Sequence, residues 1–254
     1  CYRSSRAASA AVAVATKLHR SLGTYAHAVD RYLVPSQFMA RTLARYANIE
    51  EHKLIVKANS VTLDPGPQTE RGEYLLFVGR LTVEKGILTL LDAYARLQCA
   101  PPLRIVGEGP LHAQLAERKA ADTRLQHVEL VGALPHEQAV ACIRAARALI
   151  VPSQWYEGVP LSLLEAFACA VPVVAGRIGS LAEVVRHGDN GLLFEAGDAA
   201  DLARVISLLL NEPEQGSALG ARGRESYLAH HTLEQNAHAL AEIYKDLIEE
   251  RSKR

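Results

Sequence analysis

The segment ALIVPSQWYEGVPLSLLEAFACAVPVVAG, residues 148–176, contains a complete strand–helix–strand unit. Its two ends, ALIVPS (148–153) and VPVVAG (171–176), are apolar at nearly every position, which is typical of strands buried on both faces of a parallel sheet. Residues 160–169 lie between these strands and form a predicted helix. Pro160 suits the first turn of that helix, because proline lacks an N–H that would be unpaired there anyway.

The same alternation of short apolar runs and amphipathic stretches continues on both sides of this segment. Strands and helices that alternate this often predict an α/β fold, a doubly wound parallel sheet resembling the Rossmann fold. The other predicted strands are 74–79, 103–107, 127–132 and 191–194. The other predicted helices are 86–98, 110–121, 136–147, 180–186, 199–211, 214–229 and 232–252.

The N-terminal residues show a shorter pattern, with helices at 5–22 and 37–47 and strands at 30–36 and 54–58. This partial βα segment is too small for an independent core. The run Asp64-Pro65-Gly66-Pro67 then marks a linker. Three parts are predicted: the remnant of an N-terminal Rossmann-like domain with its linker (1–68), a C-terminal ligand-binding domain (69–231) and a crossover helix (232–254). Because the chain begins with Cys1, we expect its natural start to lie upstream.

Composition sets limits on the function. The chain has 254 residues, 49% of them hydrophobic, and a formal net charge of +0, which gives no argument for nucleic-acid binding. The N-terminal 60 residues are basic and the remainder is acidic, so contact with an anionic membrane surface and a solvated basic face are both open interpretations.

The cysteines are widely spaced, which argues against disulfides and metal sites; they are Cys1, Cys99, Cys142 and Cys169. Without a signal peptide or transmembrane segment, the expected location is cytoplasmic.

Charged side chains follow the first strand of the predicted sheet, in the run Gly79-Arg80-Leu81-Thr82-Val83-Glu84-Lys85-Gly86. Ligands of open α/β sheets bind outside the carboxyl ends of the strands. Arg80 and Lys85 at this edge suit a diphosphate, since cations next to a helix N-terminus oppose its dipole unless an anion is present. The alternative is a surface Arg and Lys that happen to lie near a helix start.

The next two strands lead into loops without a cationic pair. Gly107 and Gly109 resemble the opening of a GxGxxG motif, but His112 occupies the third glycine position, so the dinucleotide fingerprint fails. We expect these glycines to let the backbone and a ligand approach closely. After strand 127–132, Leu134 belongs to a turn that suits the rim of a base site. We interpret His136 as a surface residue in the first turn of a helix rather than a catalytic residue.

Two glutamates flank the start of helix 160–169. Glu157 precedes it in the loop and Glu165 lies inside it, while the N–H groups of 161–163 remain unpaired and form an anion site with the helix dipole. A carboxylate accepts hydrogen bonds from a vicinal diol, so each glutamate suits a sugar. Phosphates between two sugars describe a sugar nucleotide. Taken alone, the two glutamates are equally compatible with a solvated face and a capping carboxylate.

The ordered motifs FVGRLTVEKG, IVGEGP, LVGALPHEQ, VPSQWYEGVPLSLLEAFACAVPVVA and AEVVRHGDNGLLFEAGDAADLA cover about residues 74–211. Together they resemble the retaining glycosyltransferases of the GT-B fold, family four, also called glycosyl transferases group 1. The resemblance implies transfer of a sugar from a nucleotide-diphosphate sugar to an acceptor hydroxyl, with retention of configuration, in bacterial polysaccharide or glycoconjugate synthesis. It further implies a carbohydrate or lipid-linked acceptor, and peripheral contact with the inner face of the plasma membrane.

The resemblance assigns roles to particular residues. Arg80 and Lys85 bind the diphosphate and stabilise the departing nucleotide, and no metal cofactor is expected because these cations replace it. Glu157 and Glu165 form the E-x7-E pair, the first on the transferred sugar and the second on the ribose. The remaining donor contacts implied are Gly79, Gly107, Leu134, Gly158, Val159, Leu161 and Ser162. The family usually has an aromatic residue where Val159 stands and often a glycine where Ser180 stands, which leaves the preferred donor open.

Three other functions remain open at this point. A glycoside hydrolase would use Glu157 and Glu165 as acid and nucleophile about 5–9 Å apart, but it would not need Arg80, Lys85 and an open helix N-terminus. A GT-B sugar-nucleotide epimerase would share the fold and the phosphate site. A donor-binding module that is inactive without an N-terminal domain or partner would share all of these features.

Overall fold

The computed structural model describes residues 5–47, 49–68 and 72–253, so Cys1 and the first three residues of the predicted C-terminal domain lie outside the described residues. The strands are β1 (Tyr32–Val34), β2 (Leu54–Val56), β3 (Leu75–Val78), β4 (Leu103–Val106), β5 (Val128–Gly132), β6 (Ala148–Val151), β7 (Val173–Gly176) and β8 (Leu192–Phe194). The helices are α1 (Arg6–Ser21), α2 (Thr24–His27), α3 (Gln37–Ala47), α4 (Ile87–Tyr94), α5 (His112–Ala121), α6 (His136–Ala145), α7 (Leu161–Ala168), α8 (Leu181–Val184), α9 (Ala199–Asn211), α10 (Pro213–His230) and α11 (Leu233–Ser252).

The main sheet is parallel throughout, with its six strands in the order β5-β4-β3-β6-β7-β8. This is the doubly wound α/β fold that the sequence predicts. Strand order reverses between β3 and β6, where Leu75 pairs with Ala148 and Leu76 with Leu149. Ligands of doubly wound sheets bind in the crevice at such a reversal. The loops after β3 and β6 therefore border the expected ligand site.

Successive residues of each central strand pack into different cores on the two faces of the sheet. In β3, Leu76 contributes to one hydrophobic cluster, together with Phe167 of α7. Leu75 and Phe77 contribute to the other, on the face covered by α4 and α9. Since both faces are covered, β3, β6 and β7 contain only apolar residues, which explains the nearly continuous apolar runs in the sequence.

Several helices differ in extent from their predicted ranges. α4 ends at Tyr94, four residues before its predicted end, and α8 is a single turn. α2 has no counterpart among the predictions; it is one turn long and follows Gly23, whose φ is 64°. Short helices of this kind carry too few residues to produce a periodic apolar pattern.

The N-terminal segment forms its own small sheet, in which β1 pairs with β2 in parallel. It is attached to the main domain at the start of α3. The Glu183 carboxylate accepts hydrogen bonds from the N–H groups of Gln37 (2.7 Å) and Phe38 (2.8 Å), which places a negative charge at the positive end of α3. The buried hydroxyls of Ser36 and Ser180 are 2.7 Å apart. Ser180, which departs from the family pattern, thus joins the two parts of the chain.

The C-terminal helix α11 crosses from the main domain to the N-terminal segment. Near its end, Glu250 pairs with Arg31, and Arg251 with Asp30. None of the residues of α11 is fully buried, and Tyr244 is 59% exposed. The three-part division at residues 68 and 231 stays a prediction. No helix of the described ranges has the length and apolar character that crossing a membrane requires.

His231 is a buried histidine at the junction of α10 and α11. Its ring donates through Nδ1 to the carbonyl of Asn59 at 3.0 Å, which connects this junction to the segment before the linker. Burial lowers the pKa of His231 below its ordinary value of 6.5, although the bond to Asn59 opposes the shift. The folded state therefore binds a proton less readily than the unfolded state. The resulting stabilisation is present above about pH 6.5 and is lost as the pH falls through the folded pKa.

We expect the melting temperature of the wild-type protein to fall between about pH 7 and about pH 5.5, and His231→Gln to reduce this fall, because an amide can donate to Asn59 but does not titrate. Thermal unfolding at both pH values measures the effect. The control is His238→Gln, since His238 is an exposed histidine on α11. An equal pH dependence in wild type and His231→Gln would contradict this assignment.

Candidate functional site

The loops that follow β3 and β6 are packed directly against each other. Gly86 has a φ of 70°, and a Cβ added to it would lie 1.8 Å from the carbonyl oxygen of Pro152. The N–H of Gln154 donates to the carbonyl of Glu84 at 2.9 Å, and the Gln154 side chain donates to the Thr89 hydroxyl. Only glycine fits at position 86, because a side chain there would separate the loops. The charged residues of the two loops are thereby held at one place.

The first consequence of this packing is an ion pair between Lys85 and Glu157, with Lys85 Nζ donating to Glu157 Oε2. The side chains are 28% and 16% exposed, so the pair is partly withdrawn from water. Glu157 Oε1 is buried and has no hydrogen-bond partner among the described residues. The resemblance assigned Lys85 to the diphosphate and Glu157 to the transferred sugar, and it did not predict a contact between them. The structure brings the two side chains together where the loops after β3 and β6 meet.

Arg80 lies in the same loop as Lys85 and is exposed. Its guanidinium makes no hydrogen bond or ion pair with any other residue that the structure describes. The pKa of the neighbouring Glu84 carboxyl is lowered, first by a hydrogen bond from its own backbone N–H and more weakly by the charges of Arg80 and Lys85. The cations of the site thus face two carboxylates, Glu84 and Glu157.

Helix α7 presents an uncapped N-terminus beside this pair. Pro160 is the N-cap, with φ −63° and ψ 137°, rather than a residue of the first helical turn, and it provides no side-chain cap. The N–H groups of 161–163 have no acceptor within the described residues, as the sequence predicted. Leu161 is 52% exposed and Ser162 is half-buried. The free amides and the helix dipole make this end of α7 suitable for an anion.

Glu165 lies deeper, in the second turn of α7, where its side chain is 6% exposed. Its Oε1 is 2.6 Å from Nε2 of His136, the first residue of α6. His136 lies in a first helical turn and is 52% exposed, which agrees with its prediction as a surface residue. Its ring nevertheless contacts a predicted site residue. The available signal was its position directly after β5, at the same edge of the sheet as the other site residues.

The remaining predicted contact residues lie in the loops at the same edge of the sheet. Gly107 has a φ of 137°, and a Cβ there would lie 1.9 Å from the carbonyl oxygen of Gly79, so its close approach is to the neighbouring loop. Val159 is buried, and its carbonyl accepts a hydrogen bond from Asn59 Nδ2 at 3.2 Å. Leu134 is half-buried in the turn before His136. Their roles toward a ligand stay predictions.

The loop carrying Glu157 also displays two aromatic residues. Trp155 is 64% exposed and Tyr156 is 67% exposed. The Tyr156 ring packs at 4.7 Å, centroid to centroid, against Phe38 of α3. Trp155 is the sole tryptophan of the chain and lies two residues from Glu157. Its fluorescence is therefore a natural reporter for the site.

Fold and site together define a doubly wound α/β domain in which two cations, two carboxylates and an open helix N-terminus lie where the strand order reverses. Residues 64–226 match the family model described as Glycosyl transferases group 1. This match covers more than half of the chain, and the chain belongs to that family. The resemblance inferred from the sequence motifs is confirmed, including the GT-B fold.

Named relatives agree with this assignment. The chain is 29% identical over 218 residues to an uncharacterised glycosyltransferase of Methanocaldococcus jannaschii, covering 78% of this chain and 61% of the relative. It is 33% identical over 181 residues to a glycogen synthase of Mycobacterium tuberculosis, covering 70% of this chain and 43% of that protein. The chain thus spans less than two thirds of the length of either relative.

Among solved structures, the fold is similar to that of the Anabaena protein HepE in complex with UDP-glucose. The TM-score is 0.78 over 85% of this chain and 64% of that one, at 18% sequence identity. At this identity the likeness concerns the fold alone. No group of three or more His, Cys, Asp or Glu residues that could hold a metal ion occurs within the described ranges.

The contact between the two loops at Gly86 should make the stability of the protein sensitive to a side chain at this position. Gly86→Ala should lower the melting temperature by several degrees more than Gly188→Ala. Both glycines have positive φ, 70° and 78°, so alanine at either position would carry a backbone strain of about 1–3 kcal/mol. Only Gly86 would also place its Cβ against a neighbouring backbone, whereas nothing lies within 4 Å at Gly188. Thermal unfolding of the two variants measures the difference, and equal losses would contradict the packing described.

Proposed function

We propose that this chain carries the donor site of a glycosyltransferase that moves a sugar from a nucleotide-diphosphate sugar to an acceptor hydroxyl. Membership of the glycosyl transferases group 1 family supports the proposal. The observation that carries it is the meeting of Lys85 and Glu157 beside the uncapped N-terminus of α7. A cation, a hydroxyl-accepting carboxylate and free amides then lie within one crevice. HepE, whose fold is similar, binds UDP-glucose.

The diphosphate is assigned to the cationic side of the crevice. The amides of Leu161 and Ser162 offer N–H donors, and the α7 dipole favours negative charge at that end. Lys85 and Arg80 provide the positive charge, Arg80 with no competing ion pair in the described chain. Because Lys85 already contacts Glu157, a bound diphosphate must share or replace that contact. Lys85 and Arg80 are proposed to neutralise the charge of the diphosphate, so that no metal ion is required.

The transferred sugar is assigned to Glu157. Its Oε1 is buried and unpartnered among the described residues, which is costly unless a donor such as a sugar hydroxyl supplies a hydrogen bond. Gly158 and Val159 follow directly, and the Val159 backbone is held in place by Asn59. The ribose is assigned to Glu165 on the far side of the α7 N-terminus, and the base to the turn around Leu134.

The reaction proposed is front-face transfer with retention of configuration. The acceptor hydroxyl attacks the anomeric carbon from the side on which the diphosphate leaves, and a phosphate oxygen accepts its proton. Negative charge then develops on the diphosphate next to Arg80 and Lys85. Preorganised donors of this kind contribute roughly 3 kcal/mol each to a transition state. We further propose a carbohydrate or lipid-linked acceptor, a role in polysaccharide or glycoconjugate synthesis, and a cytoplasmic location with peripheral membrane contact.

The assignment of the diphosphate predicts a loss of nucleotide affinity in Lys85→Met. A thermal-shift panel of UDP-, GDP- and ADP-sugars first identifies the base, and calorimetry with the matching nucleoside diphosphate then gives the Kd. We expect Lys85→Met and Arg80→Ala to weaken binding by about 10-fold or more, the effect of losing one hydrogen bond to a charged group. The matched control is Lys245→Met, which removes a surface Lys–Glu pair on α11. Unchanged affinity in Lys85→Met would show that the diphosphate lies elsewhere.

The two glutamates should respond differently to the sugar. Glu157→Gln is expected to weaken binding of the sugar nucleotide, because the carboxylate that accepts the sugar hydroxyls is lost. It should not weaken binding of the nucleoside diphosphate, because Lys85 no longer has a competing ion pair. Glu165→Gln is expected to weaken both ligands, since both contain the ribose. Titration followed by Trp155 fluorescence, checked by calorimetry, gives the four Kd values for comparison with wild type. The reverse pattern would contradict the division of roles between Glu157 and Glu165.

A further inference from the structure

We propose that His136 is a positioning residue that orients the Glu165 carboxylate, and that it thereby contributes to selecting ribose over deoxyribose in the donor nucleotide. This inference rests on the proposed function, which assigns the ribose to Glu165. The His136–Glu165 contact joins two residues 29 positions apart in the sequence, and the motifs gave no reason to expect it.

The contact is short and lies at a buried carboxylate. Nε2 of His136 is 2.6 Å from Oε1 of Glu165, and the Glu165 side chain is 6% exposed. This is the one side-chain hydrogen bond of Glu165 found among the described residues. Donation to a carboxylate requires the proton on Nε2. The bond therefore fixes one carboxylate oxygen and, with it, the direction of the other.

His136 reaches Glu165 from the neighbouring helix. It is the first residue of α6, which packs beside α7, and its side chain is 52% exposed while that of Glu165 is 6% exposed. Leu134, proposed to border the base, is two residues earlier in the chain. His136 is therefore close in sequence to the proposed base contact and in direct contact with the proposed ribose contact.

An oriented carboxylate discriminates more sharply than a mobile one. A site built to hydrogen-bond a hydroxyl rejects an analogue that lacks it, because its own polar group is then left without that partner. If Glu165 were free to rotate, it could turn toward the remaining hydroxyl or toward water and recover part of the loss. The bond to His136 prevents this rotation, so the penalty for a missing 2′-hydroxyl remains large.

The test compares each ribonucleotide with its 2′-deoxy counterpart by calorimetry, using UDP and dUDP, GDP and dGDP, and ADP and dADP. For the base that binds, we expect the wild-type Kd to be lower for the ribonucleotide than for the deoxyribonucleotide by roughly tenfold or more. This ratio corresponds to the loss of one hydrogen bond to a charged group. His136→Phe keeps the bulk of the ring but has no donor, and its preference should fall to about twofold or threefold. His136→Gln keeps a donor and should retain most of the preference.

The control is His127→Gln, because His127 is exposed and precedes β5 at the opposite end of that strand. A purely structural role for His136 would weaken ribo- and deoxyribonucleotides by the same factor and leave their ratio unchanged. An unchanged ratio in His136→Phe, with nucleotide still bound, would overturn this inference and leave the proposed function intact. Failure of the wild type to bind any of the nucleotides would overturn both.

Discussion

The close contact between Gly86 and the Pro152 carbonyl is the constraint on which the rest of the site depends. It lets the loops after β3 and β6 cross at the point where strand order reverses, with no side chain between them. The backbone bond from Gln154 to Glu84 then fixes their relative position. Ligands of doubly wound sheets bind where the strand order reverses, and the contact at Gly86 brings Lys85 and Glu157 together at this place.

The charges in this crevice explain why it suits an exchangeable ligand. Lys85 is paired with Glu157 within the chain, whereas Arg80 has no ion-pair partner among the described residues. A ligand that carries both negative charge and hydroxyl groups can take over both halves of the pair, giving phosphate to Lys85 and hydroxyl donors to Glu157. A simple anion satisfies only Lys85 and leaves Glu157 without a partner. Under the proposed function, we therefore expect the Lys85–Glu157 pair to favour a phosphorylated sugar over phosphate alone.

Much of the architecture was predictable from sequence because the central strands are buried on both faces. Their apolar runs located all six strands of the main sheet, and the open start of α7 followed from Pro160. The side-chain contacts between different loops and helices were not predictable in the same way. Lys85 and Glu157 are 72 positions apart, and His136 and Glu165 are 29 apart. Spacing along the chain does not reveal which loops cross, so these pairs required the strand order and the packing of α6 on α7.

We propose that a nucleotide-diphosphate sugar binds where Lys85 and Glu157 meet. A crystal structure of the chain with the sugar nucleotide that stabilises it best would locate this ligand. We expect the diphosphate at the N-terminus of α7 within hydrogen-bonding distance of Lys85 Nζ, and a sugar hydroxyl on the Glu157 carboxylate. A diphosphate bound elsewhere, with the Lys85–Glu157 pair intact and the α7 amides unoccupied, would contradict it.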